Sequence, residues 1–423
     1  MTARLRFAPS PTGLLHLGNA RTALVNALFA RQQRGDFVLR IDDTDRARSE
    51  ERFVGAIRED LRWLGLAWQE EHRQTAREAL HLAAFERLRE AGLVYACTET
   101  PEELEAWRAG RRPAIYKRGS LPAGQGAAYW RFDLGRRRVA FDDLVQGPQD
   151  IDLASQSDLV VRRTDGSPTF LFASIVDDVD LGISHVVRGA DHVTNTATQV
   201  AMAEALGAAA PVFAHLPLIL DAEGHGLSKR RGSASLAELR ARGIEPLAIA
   251  QILATLGTGR SAAPDESLDD LAAGLDLGAF GKASPKLADD ELVRRSAEVV
   301  RASSFAAVRD RLPAGADEPF WLAVRSSLDR VADAAEWWTV CRGTVTPVIE
   351  DAAFTRQAAE LLPDPPDWER WVEALKATGR RGRALFHPLR LALTARERGP
   401  ELKLLLTLLP RETIIRRLRG ETA

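Results

Sequence analysis

Two short stretches carry residue types and spacings suited to a polyphosphate. In the first, Pro9 to Asn19, two prolines and Gly13 end a strand and turn the chain, and His16 and Gly18 then stand at the start of a helix. A helix start offers unpaired main-chain N–H groups at the positive end of its dipole, a natural seat for phosphate. Gly18 has no side chain, so a planar ring can approach the backbone closely, and His16 can donate to phosphate oxygens. Taken alone, the stretch is more simply read as a loop histidine capping a helix. The second stretch is Gly224-His225-Gly226-Leu227-Ser228-Lys229-Arg230-Arg231-Gly232. Three adjacent cations in a glycine-framed loop can close over a polyphosphate and stabilise the charge that develops as pyrophosphate leaves. A solvated basic loop is the competing explanation.

The elements that must position these residues follow a parallel α/β pattern. Residues 4–8 read as a short strand, and Leu17, Ala20, Leu24 and Leu28 recur at helical spacing up to Arg31. Phe37 to Ile41 read as a second strand, followed by the acidic turn Asp42-Asp43-Thr44-Asp45 and a helix over 49–64. Strand, loop, helix, strand opens a parallel sheet. Between about 93 and 168 the pattern changes to short strands and turns rich in Gly, Pro and Arg, as in an insertion. Strands are expected again at Thr169–Phe172, Ile183–Arg188 and Val212–Leu220. From 233 onward the chain reads as almost wholly helical, with breaks at Gly259–Ser261 and Pro313–Gly315.

A 423-residue chain with 45% hydrophobic and 27% charged residues implies a soluble globular protein of two to four domains. No run approaches the roughly 18 uncharged apolar residues of a membrane span. The N-terminus lacks the apolar stretch of a secretion signal, so a cytoplasmic location with no membrane contact is expected. Cys97 and Cys341 cannot make a four-cysteine zinc site and read as small buried hydrophobes. The net charge of −2 gives no hint of a polyanionic partner, but only six of the 57 basic residues are lysines, which makes Lys229 more informative.

In this order the motifs are far more specific than either alone. Pro-Ser-Pro-Thr-Gly followed by His16-Leu17-Gly18-Asn19 resembles the histidine motif of class I aminoacyl-tRNA synthetases in its glutamate form, and Leu227-Ser228-Lys229-Arg230 resembles the lysine motif. Arg40-Ile41-Asp42-Asp43-Thr44-Asp45, the run Ser184 to His192, and Gly382 to Arg390 also look like glutamyl-tRNA synthetase segments. The resemblance covers nearly the whole chain, densest over 4–232. It implies a Rossmann-type parallel-sheet catalytic domain in two halves, 1–92 and 169–222, interrupted by an acceptor-binding insertion at 93–168. It further implies a lysine-motif loop with a stem-contact helical domain at 223–300 and an all-α anticodon-binding domain at 301–423.

Roles carry over position by position. The resemblance implies that Arg6 meets the side-chain carboxylate of glutamate, which suits a guanidinium fork. Ala8, Ser10 and Asp42 surround the α-amino group, Arg188 faces the α-carboxylate, and Phe170 and Ser174 line the amino-acid pocket. For ATP it implies His16, Gly18, Asp191, Ser228, Lys229 and Arg230, with His16 and Lys229 as the catalytic pair. Gly226 stands where the family commonly has lysine, Phe170 where many members have tyrosine, and Ser174 where some have asparagine. Cys97 lacks the companion ligands of the zinc knuckle seen in some relatives, so no structural zinc is expected.

The implied reaction joins glutamate and ATP, as its Mg²⁺ complex, into glutamyl-adenylate, and then transfers glutamate to the end of a tRNA. The enzyme is expected to be a monomer. The sequence leaves open whether that tRNA is tRNA(Glu), tRNA(Gln) or both. Arg380, Arg381, Arg383 and the run Arg416-Arg417-Leu418-Arg419 are candidates for RNA contact. The alternative from another class is a non-catalytic tRNA-binding paralogue, which the departures at 170, 174 and 226 keep in view. A truncated relative that glutamylates a modified base is disfavoured by the helical tail, and so is a glutaminyl-tRNA synthetase with β-barrel anticodon domains.

Overall fold

Strands buried on both faces should read as continuous apolar runs; the second strand does so from Phe37 to Ile41 apart from Arg40, whereas the first alternates arginine with apolar residues. The computed structural model describes residues 2–111, 113–124, 126–226 and 234–423. In it β1 (Arg4–Phe7) buries Leu5 and Phe7, and β2 (Asp36–Ile41) buries Phe37, Val38, Leu39 and Ile41. Both strands also bury an arginine, Arg6 and Arg40, and these become the centre of the site.

The remaining strands are β3 (Glu70–Arg73), β4 (Val94–Cys97), β5 (Tyr129–Phe132), β6 (Arg138–Asp143), β7 (Gly147–Asp152), β8 (Leu159–Arg162), β9 (His185–Gly189) and β10 (Val212–Leu216). A seven-stranded sheet has the order β3-β2-β1-β9-β10-β6-β7, parallel except for the β6–β7 hairpin at its edge. The chain moves outward from β1 to β3 on one side and from β9 to β10 on the other. A topological switch point therefore lies between β1 and β9, and α/β sheets bind ligands at the carboxyl ends of such strands.

The stretch 93–168 serves two sheets. Its strands β4, β5 and β8 form a separate antiparallel sheet, whereas β6 and β7 complete the large one. One apolar cluster runs through both, joining Val94, Phe132 and Val161 to Phe172, Val186 and Phe213.

Helices α1 (Leu17–Gln32), α2 (Glu51–Trp63), α3 (Glu78–Glu90), α4 (Pro101–Arg108), α5 (Phe170–Asp180) and α6 (Val193–Ala205) connect and cover these strands. Helix α5 corrects an expectation. The strand predicted at Thr169–Phe172 is instead a helix N-terminus, with Thr169 as the extended N-cap residue. Its residues from Phe172 to Asp178 are all buried. A segment covered all round loses its helical periodicity, and a short apolar run then mimics a buried strand.

Two compact units divide the chain, one comprising 1–242 and 249–289, the other 243–248 and 290–423. Among its described residues the second unit holds helices and turns with no strand. It has two apolar clusters, one around Trp321 and one around Trp371. Each indole N–H finds a main-chain carbonyl, Ser303 at 2.9 Å and Ala358 at 2.8 Å. No helix among the described residues is long and apolar enough to cross a membrane.

Candidate active site

A cavity of about 670 Å³ opens at the carboxyl ends of β1, β9 and β10, where the switch point predicts one. Arg6, Ala8, Ser10, His16, Gly18, Asp42, Phe170, Ser174, Arg188 and Asp191 all border it. Residues far apart in sequence are thus brought to one place by five elements and the loops at their ends. Ser228, Lys229 and Arg230 lie outside the described residues.

His16 is the N-cap of α1. Its Nδ1 accepts from the main-chain N–H groups of Gly18 at 3.0 Å and Asn19 at 3.4 Å, and Asn19 Oδ1 returns a bond to the His16 N–H. Accepting at Nδ1 leaves the ring proton of the neutral imidazole on Nε2. The open N–H groups expected of this helix start are therefore corrected: the histidine's own ring satisfies them. The planar ring that Gly18 accommodates is likewise His16's, since a Cβ at position 18 would stand 2.9 Å from Cε1.

The floor of the cavity is a buried charge cluster. Arg40 donates through Nε to Asp42 Oδ1 at 2.7 Å and through Nη2 to Asp42 Oδ2 at 3.1 Å. Its Nη1 reaches Asp178 Oδ1 at 2.6 Å, and the same oxygen accepts Arg6 Nε at 3.0 Å. Burial opposes the charge on Arg40, but Asp42, Asp178 and Asp177 outweigh it and hold the guanidinium protonated. Burial pushes the Asp42 carboxyl up to about 6 against the pull of Arg40, with Asp177 and Asp178 adding to the rise. Asp177 in turn accepts from Gln74 at 2.9 Å and Arg77 at 2.8 Å and pairs with His81.

Arg6 and Ser174 each have a partner that the motifs do not supply. Arg6 is anchored on Asp178 through Nε, while among the described residues its terminal nitrogens carry no hydrogen bond. The Ser174 hydroxyl is taken by Arg40 Nη2 at 2.9 Å, so this position steadies the cluster below the pocket.

Arg188 lies near the end of β9 with its guanidinium buried. Its Nε donates to His215 Nε2 at 3.0 Å, and its Nη2 donates to Thr196 Oγ1 at 2.7 Å and the His192 carbonyl at 3.4 Å. None of these acceptors is an anion. Burial, and then the nearby Arg6, push its pKa down to about 9. Asp191 is half exposed on the rim, with His192 Nε2 3.7 Å from its carboxylate. A Cβ at Gly189 would overlap Asp191 Oδ1. Phe170 stands at the rim beside His192, ring centroids 6.4 Å apart.

The motifs assign no role to Arg40, Asp177, Asp178, Asp143 or His215, all of which the fold brings into the site or beneath it. Carboxylates inside the apolar run Phe170–Val179, and a histidine inside the apolar strand Val212–Leu216, were the signals that could have found them. Among the described residues no group of three or more His, Cys, Asp or Glu is placed to hold a metal. Cys97 is buried and its sulfur lies 3.8 Å from the Tyr116 hydroxyl, which donates to Glu99.

In the second unit Arg381 and Arg383 are exposed, and Arg383 borders a small cavity with Phe386, His387, Arg390 and Arg398. Arg380 is engaged by Asp351 at 2.6 Å and lies over the Phe354 ring. Arg417 corrects another expectation. It is 1% exposed and donates to the carbonyls of Val340, Leu393, Gly343 and Ala423, so it pins the fold and is not a phosphate contact.

Fold and site together define an α/β protein of the Rossmann type with an arginine-lined cavity at its switch point and a helical second unit. The family of class I tRNA synthetases (E and Q), catalytic domain, matches residues 2–267. Glutamate–tRNA ligase 2 of Methylorubrum populi is 48% identical and glutamate–tRNA ligase 1 of Rhodospirillum rubrum 49% identical, each alignment covering 99% of both chains. A crystal structure of a glutamate tRNA ligase from Elizabethkingia meningosepticum in complex with its amino acid superposes with a TM-score of 0.80 at 27% identity. That match covers 99% of this chain and 98% of the other. The chain belongs to the glutamate–tRNA ligase family of class I tRNA synthetases.

Proposed function

We propose that the chain activates L-glutamate with ATP and transfers it to the end of tRNA(Glu), with tRNA(Gln) as a further or alternative acceptor. One observation carries the reading. The cavity presents the buried guanidinium groups of Arg6 and Arg188 together with the carboxylate of Asp42, while the third buried arginine on its wall, Arg21, is held by the carbonyls of Pro217 and Leu256. Among the described residues the terminal nitrogens of Arg6 carry no hydrogen bond, and Arg188 donates only to neutral acceptors. Glutamate offers the complement: two carboxylates for the arginines and one ammonium for the acid.

In this reading Arg6 holds the side-chain carboxylate and Arg188 the α-carboxylate, with the ammonium toward Asp42, Ala8 and Ser10. His16 turns its Nε2–H toward the ATP phosphates, Asp191 takes the ribose hydroxyls, and Gly18 leaves room for the His16 ring over the helix start. ATP enters as its Mg²⁺ complex, the ion riding on phosphate and water oxygens. The α-carboxylate attacks the α-phosphorus, pyrophosphate leaves, and the terminal tRNA hydroxyl then takes the glutamyl group from the adenylate. Neither step needs a covalent enzyme intermediate, so the protein contributes position and charge stabilisation. Ser228, Lys229 and Arg230 stabilise the departing pyrophosphate. The stretch 93–168 receives the acceptor end, 223–300 the stem, and 301–423 the anticodon, with Arg381 and Arg383 near RNA. The enzyme works as a monomer in the cytoplasm with its tRNA.

Purified protein, ATP, labelled glutamate and separate tRNA(Glu) and tRNA(Gln) transcripts test this reading. Charging of at least one transcript is expected, and charging of neither overturns it. Lys229→Ala should slow adenylate formation far more than it weakens tRNA binding.

A further inference from the structure

The environment of Arg188 implies more than a carboxylate ligand. Resting on Arg188 as the carboxylate ligand, we infer that Asp143 and His215 are positioning residues for the substrate carboxylate: Asp143 fixes the tautomer of His215, and that tautomer holds the Arg188 guanidinium in place without neutralising it.

The chain of bonds has a direction. Asp143, at the end of β6, uses Oδ1 to accept three main-chain N–H groups, from Val145 at 2.9 Å, Gln146 at 2.8 Å and His215 at 3.1 Å. Its Oδ2 faces His215 Nδ1 at 2.5 Å. Burial would raise the Asp143 carboxyl, but His215 and the main-chain donors outweigh it and hold the group below the usual carboxylate range. An ionised carboxylate only accepts, so Nδ1 must carry the ring proton. Nε2 is then a lone pair, which the Arg188 Nε–H at 3.0 Å requires. The Thr196 hydroxyl, 3.1 Å from Nε2, also receives Arg188 Nη2.

The ring has no freedom to turn. His215 is fully buried and stacks on Phe213 with centroids 6.0 Å apart and planes 11° from parallel. The charged and titratable groups around it are Asp143 from β6 and Arg188 from β9, with Asp191 and His192 beyond them on the 190–192 turn. A second ring proton would set Nε2–H against the Arg188 Nε–H.

The functional gain lies in the neutrality of the acceptor. A carboxylate on Arg188 Nε would orient the guanidinium equally well but would also satisfy its charge, as Asp42 and Asp178 do for Arg40. A neutral imidazole orients the group and leaves its charge for an incoming anion. The negative charge of Asp143 sits one ring away, spent on His215 and three main-chain donors.

Asp143→Asn tests this almost isosterically. The three main-chain donors keep the amide oxygen, so the amide NH₂ faces His215 Nδ1 and forces the proton onto Nε2, against Arg188. The expected result is a glutamate KM in tRNA charging raised about ten- to a hundredfold, with the ATP KM within about twofold. The ¹⁵N signals of His215 should shift from the Nδ1–H to the Nε2–H form. In a His215→Gln background, whose amide oxygen accepts from Arg188 without any tautomer, Asp143→Asn should add less than about threefold. Should Asp143→Asn fail to fold, His215→Gln compared with His215→Leu decides the matter: only His215→Leu should raise the glutamate KM by about tenfold or more. An unchanged glutamate KM in Asp143→Asn or His215→Leu overturns the inference, as do glutamate and ATP KM values that rise together with lost thermal stability. Arg188→Ala separates the two levels. If it leaves glutamate KM unchanged, the carboxylate reading itself fails. If it raises KM while Asp143→Asn does not, only the tautomer lock fails.

Discussion

Arg40 grips Asp42 side-on, Nε to Oδ1 at 2.7 Å and Nη2 to Oδ2 at 3.1 Å, with both side chains shut off from solvent. The same guanidinium holds Asp178, and through it Arg6. The floor of the amino-acid pocket is therefore one electrostatic object in which no charge can be removed alone.

Arg40→Ala strands Asp42 and Asp178 as buried, uncompensated carboxylates, and it should cost about 3–5 kcal/mol of stability in urea unfolding. Arg40→Lys keeps the charge but not the fork and should recover only part of that loss. If Arg40→Ala unfolds at the wild-type midpoint, the cluster is not structural.

The pH dependence is set by Asp42, whose carboxyl is pushed up to about 6 by burial, with Arg40 opposing and Asp177 and Asp178 assisting. Below the ordinary carboxylate value both folded and unfolded chains hold the proton, and the group costs the fold nothing. The cost grows as pH rises and is complete above about 6, so this group favours the fold toward acid. Glutamate binding has the opposite sign, because its ammonium needs the carboxylate. The glutamate KM should rise as pH falls through about 6. An acid limb that persists unchanged in Asp42→Asn would assign it to another group.

Two glycines offer a test of the nucleotide side. A methyl at Gly18 meets His16 Cε1 at 2.9 Å and Nδ1 at 3.0 Å, so Gly18→Ala should expel the ring from its cap. The expected loss is about 1 kcal/mol of stability with a several-fold higher ATP KM. Gly189→Ala should displace Asp191 and raise the ATP KM with a smaller change for glutamate. A glutamate-only effect would remove Asp191 from the ribose.

In the helical unit, exposed and buried arginines should behave oppositely. Arg381→Ala and Arg383→Ala should each weaken tRNA binding and reduce the slope of log affinity against log salt by about one, with no loss of stability. Arg417→Leu removes the donors from four carbonyls and should cost about 2–4 kcal/mol while leaving the salt slope alone. A changed salt slope in Arg417→Leu would return that residue to the RNA surface.

The sequence alone was enough wherever structure is written in local spacing. The strand–loop–helix around His16 and Gly18, the strand leading into Asp42, the strand carrying Arg188 and the helical tail depend on neighbours a few residues apart, and all are found. The motif order further marked the residues that border the cavity. How these residues are partnered was settled only in three dimensions. Burial all round turned the predicted strand at Thr169–Phe172 into α5, and so carried Asp177 and Asp178 beneath Arg6 and Arg40. The hairpin β6–β7 leaves its own stretch to join the large sheet, bringing Asp143 onto His215 from 72 residues away. Such pairings cross the sheet, and the energy of a buried charge depends on what lies opposite it in space, which local spacing does not encode. His16 shows both halves at once: its place at a helix start was legible, but only the fold revealed that its ring closes the start it caps.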